Sequence, residues 1–295
     1  MGRVVRRSTK VDQSGAYVAT RLHATEQLSV LAGLRWSFWR TRGLDETGSV
    51  TEDRKENGVF TPYLGLVYDV TPNLSVYTSY TSIFNPQSSR DVNGALLDLE
   101  KGSNIEAGVK GEWFAARLNA SAAVFQVKKD NLAVEDGQNL TPTGDTAYRA
   151  EDNTKGRGWE REIAGEPVEG WRIQGGYTRM VTRDSAGARL NSEQPAHLFK
   201  LFTTWTPVGL RQWTVGGGAT WQSRTSNSDM DEPWRDRYAQ KSYAVVDLMA
   251  RYAFSKQLAL TVNLNNVFDK VYRTDLYVHD YGAPRHVLAT LKYQL

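Results

Sequence analysis

Apolar and polar residues alternate along most of this chain, and the alternation is plainest at its end. In the closing stretch YGAPRHVLATLKYQL, Val287, Ala289, Leu291, Tyr293 and Leu295 take every second position. His286, Thr290, Lys292 and Gln294 stand between them, with Leu288 the one exception. A period of two puts one set of side chains on each face of an extended strand. SNIEAGVKGEWF repeats it, with Ile105, Ala107, Val109, Gly111 and Trp113 on one face and Asn104, Glu106, Lys110 and Glu112 on the other. Segments of this kind, roughly ten to thirteen residues each, are near the length of a tilted strand that spans a bilayer. The pattern predicts them at 15–24, 28–40, 58–69, 74–84, 103–114, 117–128, 156–167, 171–182, 195–206, 211–222, 241–253, 257–268 and 282–295.

The connections come in two kinds. Short ones are predicted at TEQ (25–27), VTPN (70–73), AA (115–116), VEG (168–170), PVGL (207–210) and SKQ (255–257). Between them lie long polar stretches such as TRGLDETGSVTEDRKENG, NPQSSRDVNGALLDLEKG, KDNLAVEDGQNLTPTGDTAYRAEDNTK and SRTSNSDMDEPWRDRYAQ. Two strands, one turn and one loop recur about every 45 residues. A soluble sandwich has no reason to alternate long and short loops strictly, whereas an outer-membrane barrel does, since its two ends face different compartments. Tyr68, Trp113, Phe114, Trp171, Trp205, Trp213 and Phe254 all lie close to the short turns. That is where a girdle at the periplasmic interface would sit, although capping a soluble core is the plainer role for each ring.

Composition narrows the classes. The absence of cysteine excludes a disulfide scaffold and a Cys-based zinc site. A net charge of +3, with acids and bases interleaved and no basic stripe beyond MGRVVRRSTK, argues against nucleic acid. Mean hydropathy is −0.51 and no run of about 18 apolar residues occurs, so a transmembrane helix is excluded. A barrel is not, because its strands need apolar residues only at alternate positions. MGRVVRRSTK lacks the apolar stretch of a secretory signal. His23, His197, His279 and His286 are far apart, which argues against a resident metal. No nucleophile–base motif or phosphate loop occurs, so no catalytic residue and no enzyme is expected.

Several stretches go beyond periodicity. FTPYLGLVYDVTPNLSVYTSYTSIFNPQSSRDVNG (60–94), EKGSNIEAGVKGEW (100–113), RLNASAAVFQVKKDNLA (117–133), HLFKLFTTW (197–205), YAVVDLMARY (243–252), TVNLNNVFDKVY (261–272) and YGAPRHVLATLKY (281–293) resemble the TonB-dependent ferric-siderophore receptors of the bacterial outer membrane. The likeness is greatest to the branch that takes up hydroxamate chelates such as ferric pyoverdine and ferric coprogen. It implies an all-β antiparallel transmembrane β-barrel, with this chain supplying the C-terminal 13 or so strands of a barrel of roughly 22. In that family the barrel surrounds a plug domain. The resemblance also implies a ferric siderophore as transported ligand rather than as cofactor, a TonB-type energy-coupling protein, and outer-membrane lipid around the wall. It further implies that residues 287–295 are read by the barrel-assembly machinery, with Leu295 where the family usually has Phe.

Residues 1–295 are therefore expected to be a partial barrel domain that carries neither plug nor signal peptide, a C-terminal portion of a receptor or a truncated or mis-started frame. An odd number of strands beginning on the outer side cannot close in the usual way. In GRGWEREIAGEPVEGW, Glu160, Glu162 and Glu166 take the lumenal phase, which turns Trp159, Arg161 and Ile163 towards lipid. A lipid-facing Arg costs about 2–4 kcal/mol at the midplane and about 0–1 near an interface.

A siderophore pocket needs aromatic walls and a few polar groups. In LAGLRWSFWR, Arg35, Ser37 and Trp39 share a phase opposite Leu34 and Trp36, with Trp39 at the outer end. Tyr148, Trp221, Trp234, Tyr238 and Tyr243 are further aromatics of rim or loop. Arg35, Trp39 and these five are the candidate ligand-binding residues, with packing in a girdle or loop the simpler role for each aromatic. Asn263, Asn265, Asp247 and Arg251 face the lumen by phase. Three functions are open: siderophore transport, a passive pore or non-transporting remnant, and a soluble β-rich carbohydrate-binding module.

Overall fold

The computed structural model describes residues 8–44, 47–226, 238–276 and 280–294. Alternation becomes strand nearly everywhere the pattern predicts it. In chain order the strands are β1 (Ser8–His23), β2 (Leu28–Leu44), β3 (Val50–Thr71), β4 (Leu74–Asn85), β5 (Glu100–Trp113), β6 (Leu118–Asp130), β7 (Leu132–Leu140), β8 (Thr146–Glu151) and β9 (Thr154–Val168). They continue with β10 (Trp171–Arg183), β11 (Arg189–Leu190), β12 (His197–Trp205), β13 (Trp213–Gln222), β14 (Thr225–Ser226), β15 (Ala239–Gln240), β16 (Tyr243–Ala253), β17 (Leu258–Asn265) and β18 (His286–Tyr293). Thirteen of these follow one another in a single antiparallel order, β1-β2-β3-β4-β5-β6-β9-β10-β12-β13-β16-β17-β18. Strand β11 pairs with the end of β10, while β7–β8 and β14–β15 are separate two-stranded pairs. No helix among the described residues is long and apolar enough to cross a membrane.

The short connections are tight turns. Between β1 and β2, the Thr25 hydroxyl accepts the N–H groups of Leu28 (2.9 Å) and Gln27 (3.3 Å). Ser255 does the same for Gln257 and Leu258, each at 3.1 Å, between β16 and β17. Side-chain oxygens capture backbone donors that the ladder leaves over, which is why Ser and Thr stand at these corners. Between β5 and β6 the corner is Phe114, Ala115 and Ala116, all left-handed, with φ of 56°, 57° and 63°.

Two of the long polar stretches differ from expectation. Much of 41–58 is strand: β2 and β3 keep pairing outward, through Arg40↔Lys55, Thr41↔Arg54 and Arg42↔Asp53. The stretch after β6 is the hairpin β7–β8, paired from Leu132↔Glu151 to Glu135↔Tyr148 and, after a register shift, at Leu140↔Thr146.

The described residues fall into two compact units. The first comprises the described parts of 1–68, 77–106 and 127–154. It holds β1, β2, most of β3, the hairpin β7–β8 and the segment 86–99, with Leu99 and Ala147 buried at its core beside Thr141 and Thr154. The second comprises the described parts of 69–76, 107–126 and 155–295, including β9 to β18.

In each unit the faces separate as period two demands, since directly paired residues share a face. In the second unit one face carries rows such as Trp171, Trp205, Val215, Ala250, Val262 and Ala289. The opposite face carries Thr204, Gly216, Met249 and Asn263, and nearer the short turns Thr214, Arg251, Thr261 and Thr290. In the first unit Leu34, Trp36 and Phe60 share the apolar face, with Trp36 stacked on Phe60 at 5.6 Å. The apolar side is the lipid side of a barrel wall and the polar side its lumen. The seven girdle aromatics named above are all exposed. Trp171 donates its indole N–H to the Thr203 hydroxyl at 2.8 Å.

Candidate functional site

The lumenal phase of β2 supplies the first group. Arg35, Ser37, Trp39 and Thr41 lie on one face, paired with Tyr17, Gly15, Gln13 and Val11 of β1. On the other side Trp39 pairs with Glu56 and Thr41 with Arg54, across a register shift after Ser37. That shift is a β-bulge, a device that re-aims side chains near the rim of a sheet. Ser37 and Thr41 are buried at 3% and 4% exposure, and Arg35 Nε donates to Ser37 Oγ at 3.0 Å. The Arg35 guanidinium is thus held beside Trp39's face of the strand.

Arg54 joins this row to the segment 86–99. It donates to Glu56 Oε1 at 3.0 Å and to the Leu97 carbonyl, and it pairs with Asp98 at 3.7 Å. Gln87 donates to the carbonyls of Asp98 and, at 2.8 Å, Asn131. Asn131 in turn donates to the Leu99 carbonyl at 3.1 Å, and Glu100, 7% exposed, pairs with Lys129 at 2.5 Å. Tyr148 enters here: its backbone N–H donates to the Arg90 carbonyl at 2.8 Å, so β8 is fastened to the same segment. Arg35, Trp39 and Tyr148 therefore belong to one folded unit, with loop segments secured by side-chain to backbone bonds. None of Arg54, Glu56, Gln87 or Glu100 was singled out from sequence. The period-two phase shared by Trp39 and Glu56 was the one signal available, and the bulge hides it.

The second unit receives Tyr243, Tyr238 and Trp221. Tyr243 takes the polar phase with Asp247 and Arg251, and its ring stacks on Tyr272 at 4.5 Å with 22° between the planes. Nearby, Arg273 N–H donates to Gln240 Oε1 at 2.9 Å. Tyr238 is half-buried and immediately precedes β15. Trp221 does not join them, which corrects its inclusion among the candidates: it pairs with Phe199 and Ala244 on the apolar face, and Phe199 pairs with Tyr177. An odd–even step separates Trp221 from Gln222, and Gln222 is the partner of Tyr243. Trp234 lies outside the described residues.

Further along the same polar face, Glu162, Gln174, Lys200, Phe202, Thr220 and Asp247 line a concavity of about 510 Å³. Asp247 Oδ1 accepts the N–H of Asn266 at 2.8 Å. Asn266 is 3% exposed and donates to the carbonyls of Lys270 (2.9 Å) and Ala283 (3.0 Å), while its Oδ1 accepts from Lys270 N–H at 2.8 Å. Asp269 Oδ1 accepts from Arg285 N–H at 2.8 Å. The NNVFDK stretch is thus a structural clasp that leads the chain into β18.

Comparison with known proteins gives a consistent picture. The family described as TonB dependent receptor-like, beta-barrel matches residues 2–267. The ferripyoverdine receptor of Pseudomonas aeruginosa is 38% identical over 297 residues, covering 96% of this chain and 36% of the receptor. The ferric-pyoverdine BN7/BN8 receptor of Pseudomonas putida is 40% identical over 289 residues, covering 96% of this chain and 34% of the receptor. In three dimensions the chain matches the crystal structure of the outer-membrane ferripyoverdine receptor of Pseudomonas aeruginosa bound to ferripyoverdine. The TM-score is 0.83, with 36% identity, over 97% of this chain and 39% of that one. The chain thus spans about a third of the length of the curated relatives it matches.

Proposed function

This chain belongs to the TonB-dependent receptors of the bacterial outer membrane and has the fold of their β-barrel, and on that premise we propose that it forms part of the wall of a ferric-siderophore transporter. The observation that carries the reading is the polar row of β2 and β3. Arg35 supplies a fixed cationic donor and Trp39 an aromatic wall, while Arg54, engaged by Glu56, Leu97 and Asp98, anchors the segment beside them. A ferric hydroxamate chelate of the pyoverdine kind is bulky, carries flat groups and exposes oxygen acceptors. Aromatic faces and guanidinium forks suit such a surface, the forks by charge-assisted hydrogen bonds to its oxygens. Tyr148 extends that site, and Tyr243 with Tyr272 and Tyr238 forms a second aromatic group on the wall. Residues 1–295 are read as one portion of the barrel domain, with β18 as the strand presented to the assembly machinery. A TonB-type protein supplies the energy for uptake.

The experiment is uptake of radioactive iron by cells whose own siderophore receptors are deleted and which express the receptor carrying this chain. Ferric hydroxamate chelates of the pyoverdine class should be taken up, uptake should stop with an uncoupler, and a ferric catecholate should be a poor substrate. Uptake no greater than in the empty-vector strain would overturn the reading. Passage that is indifferent to the uncoupler would identify a passive pore instead.

A further inference from the structure

The outward face of β9, β10 and β12 changes character along its length. Towards the short turns it is apolar, with Ile163 paired to Gly175, Gly175 to Leu201, and Ile173 to Thr203. Towards the outer ends the same face carries Lys155, Arg157 and Arg161 from β9, Arg179 and Arg183 from β10, and His197 from β12. Lys155 pairs directly with Arg183, Trp159 with Arg179, and Arg179 with His197. Along 155–163, 175–183 and 197–201 this face holds no carboxylate, since Glu160 and Glu162 take the opposite phase. Like charges set directly opposite each other destabilise a sheet unless something neutralises them.

The height of the cluster fits an interface. From Trp171 in the lower girdle to Arg179 is about 27 Å of strand, or about 20 Å of height at the usual tilt, close to the upper edge of an apolar band about 25 Å tall. Arg161 starts one step lower, but its guanidinium lies 5.0 Å from the centre of the Trp159 ring, the next outward-facing side chain in the outer direction. That is a cation turned up out of the hydrocarbon and held on an aromatic face. Tyr177 completes the platform: it stacks on Trp159 at 4.9 Å, and its hydroxyl shares a 2.7 Å hydrogen bond with His197 Nδ1.

We propose that this face binds a phosphate-bearing glycolipid of the outer leaflet. Arg161 and Arg179 meet its phosphates on the Trp159–Tyr177 platform, and its acyl chains lie along Ile163, Ile173 and Leu201. The occupant is a lipid rather than a free anion because the basic cluster is continuous with an apolar surface directly below it. It is a phosphate lipid rather than a neutral one because the stretches of β9, β10 and β12 that gather these cations turn no acid to the same face. The inference does not depend on what the receptor transports.

The test is native mass spectrometry of the receptor extracted from outer membranes in non-ionic detergent, counting retained glycolipid. The wild type should keep glycolipid through detergent exchange. The Arg161→Gln/Arg179→Gln double variant should keep about tenfold less, given the strength of charge-assisted contacts to phosphate, and Arg161→Lys/Arg179→Lys should keep most of it. Heat-dependent electrophoretic mobility reports which variants are folded. If the Gln variant does not fold, delipidated wild type decides: bis-phosphorylated glycolipid should bind at least tenfold more tightly than the same lipid stripped of phosphate. Equal retention by the folded Gln variant, or equal binding of the stripped lipid, would overturn the proposal. Displacement by millimolar inorganic phosphate would also overturn it, by pointing to a soluble anion.

Discussion

The carboxylate of Asp247 in β16 accepts the backbone N–H of Asn266, just past the end of β17, at 2.8 Å. Asn266 has φ of 50°, in the left-handed region that Asn tolerates better than most residues, and its side chain closes three further hydrogen bonds to backbone. Asn266→Ala strands buried carbonyl and N–H groups and removes the residue suited to that conformation. A loss of about 2–4 kcal/mol is expected, read as a lower urea midpoint for the folded, heat-modifiable form. Asp247→Asn keeps an acceptor and should lose far less.

Arg54 binds the segment 86–99 to β3 through Leu97 and Asp98. Arg54→Ala should raise hydrogen exchange at 86–99 by about tenfold or more, the effect of losing one charge-assisted bond to a carbonyl. Exchange in the strand parts of β9 to β18 should not change.

Trp39→Ala removes the aromatic wall of the proposed site while leaving the Arg35–Ser37 hydrogen bond in place. Affinity for the ferric chelate should fall about tenfold to a hundredfold, measured by titration of receptor in detergent. Trp221→Ala, a change on the opposite face, should leave affinity unaltered.

At Gly282 an added Cβ would run into the Tyr272 ring, which stacks on Tyr243. Gly282→Ala should therefore push Tyr272 off Tyr243 with little effect on the ladder. The expected signature is a near-ultraviolet dichroism change together with weaker chelate binding, if the pair belongs to the site as proposed.

Asp53 stands on the outward face of β3 beyond the apolar band. It accepts from Arg40 at 2.9 and 2.7 Å and from Arg42 at 3.2 Å. The hydrogen bonds from Arg40 hold its carboxyl at about 2, below the ordinary 3.8. Since the folded value is the lower one, whatever this pairing contributes is present above about 3.8 and is lost as pH falls through about 2. Both partners are exposed, so salt should screen the effect. Carboxyl titration by NMR should give Asp53 a midpoint near 2, and Arg40→Ala should move it up towards the ordinary value.

The long strands were legible where lipid enforces contrast between faces. Along 28–38 and 60–68 an apolar and a mixed face alternate, and the pattern alone sets the phase of Arg35 and Trp39. The same rule put Trp221 in the phase of Trp213 and Val215, so its place on the apolar face could have been read from the sequence. Beyond the membrane both faces of a hairpin meet water. Arg40, Thr41 and Arg42 then face Lys55, Arg54 and Asp53 with no apolar set on either side, and the stretch reads as loop although it is strand. Hairpin β7–β8 was hidden for the same reason. The bonds from Arg54 to Leu97 and from Gln87 to Asn131 join residues more than forty positions apart, and no local pattern announces them.

In the thirteen-strand order every neighbour is also a neighbour in sequence, apart from short or excluded pieces, until β6 meets β9 across residues 131–153. That excursion is closed at its base by Asn131 N–H on Asp152 at 2.8 Å and Asn153 N–H on Asp130 at 2.9 Å. The entropy of closing a loop grows with the length of flexible chain, and a folded hairpin contributes almost none. Once β7 and β8 have paired, β9 reaches β6 over a path no longer than an ordinary turn. The wall is then a succession of local pairings, and the hairpin β7–β8 keeps the joining of β6 to β9 as local as the others.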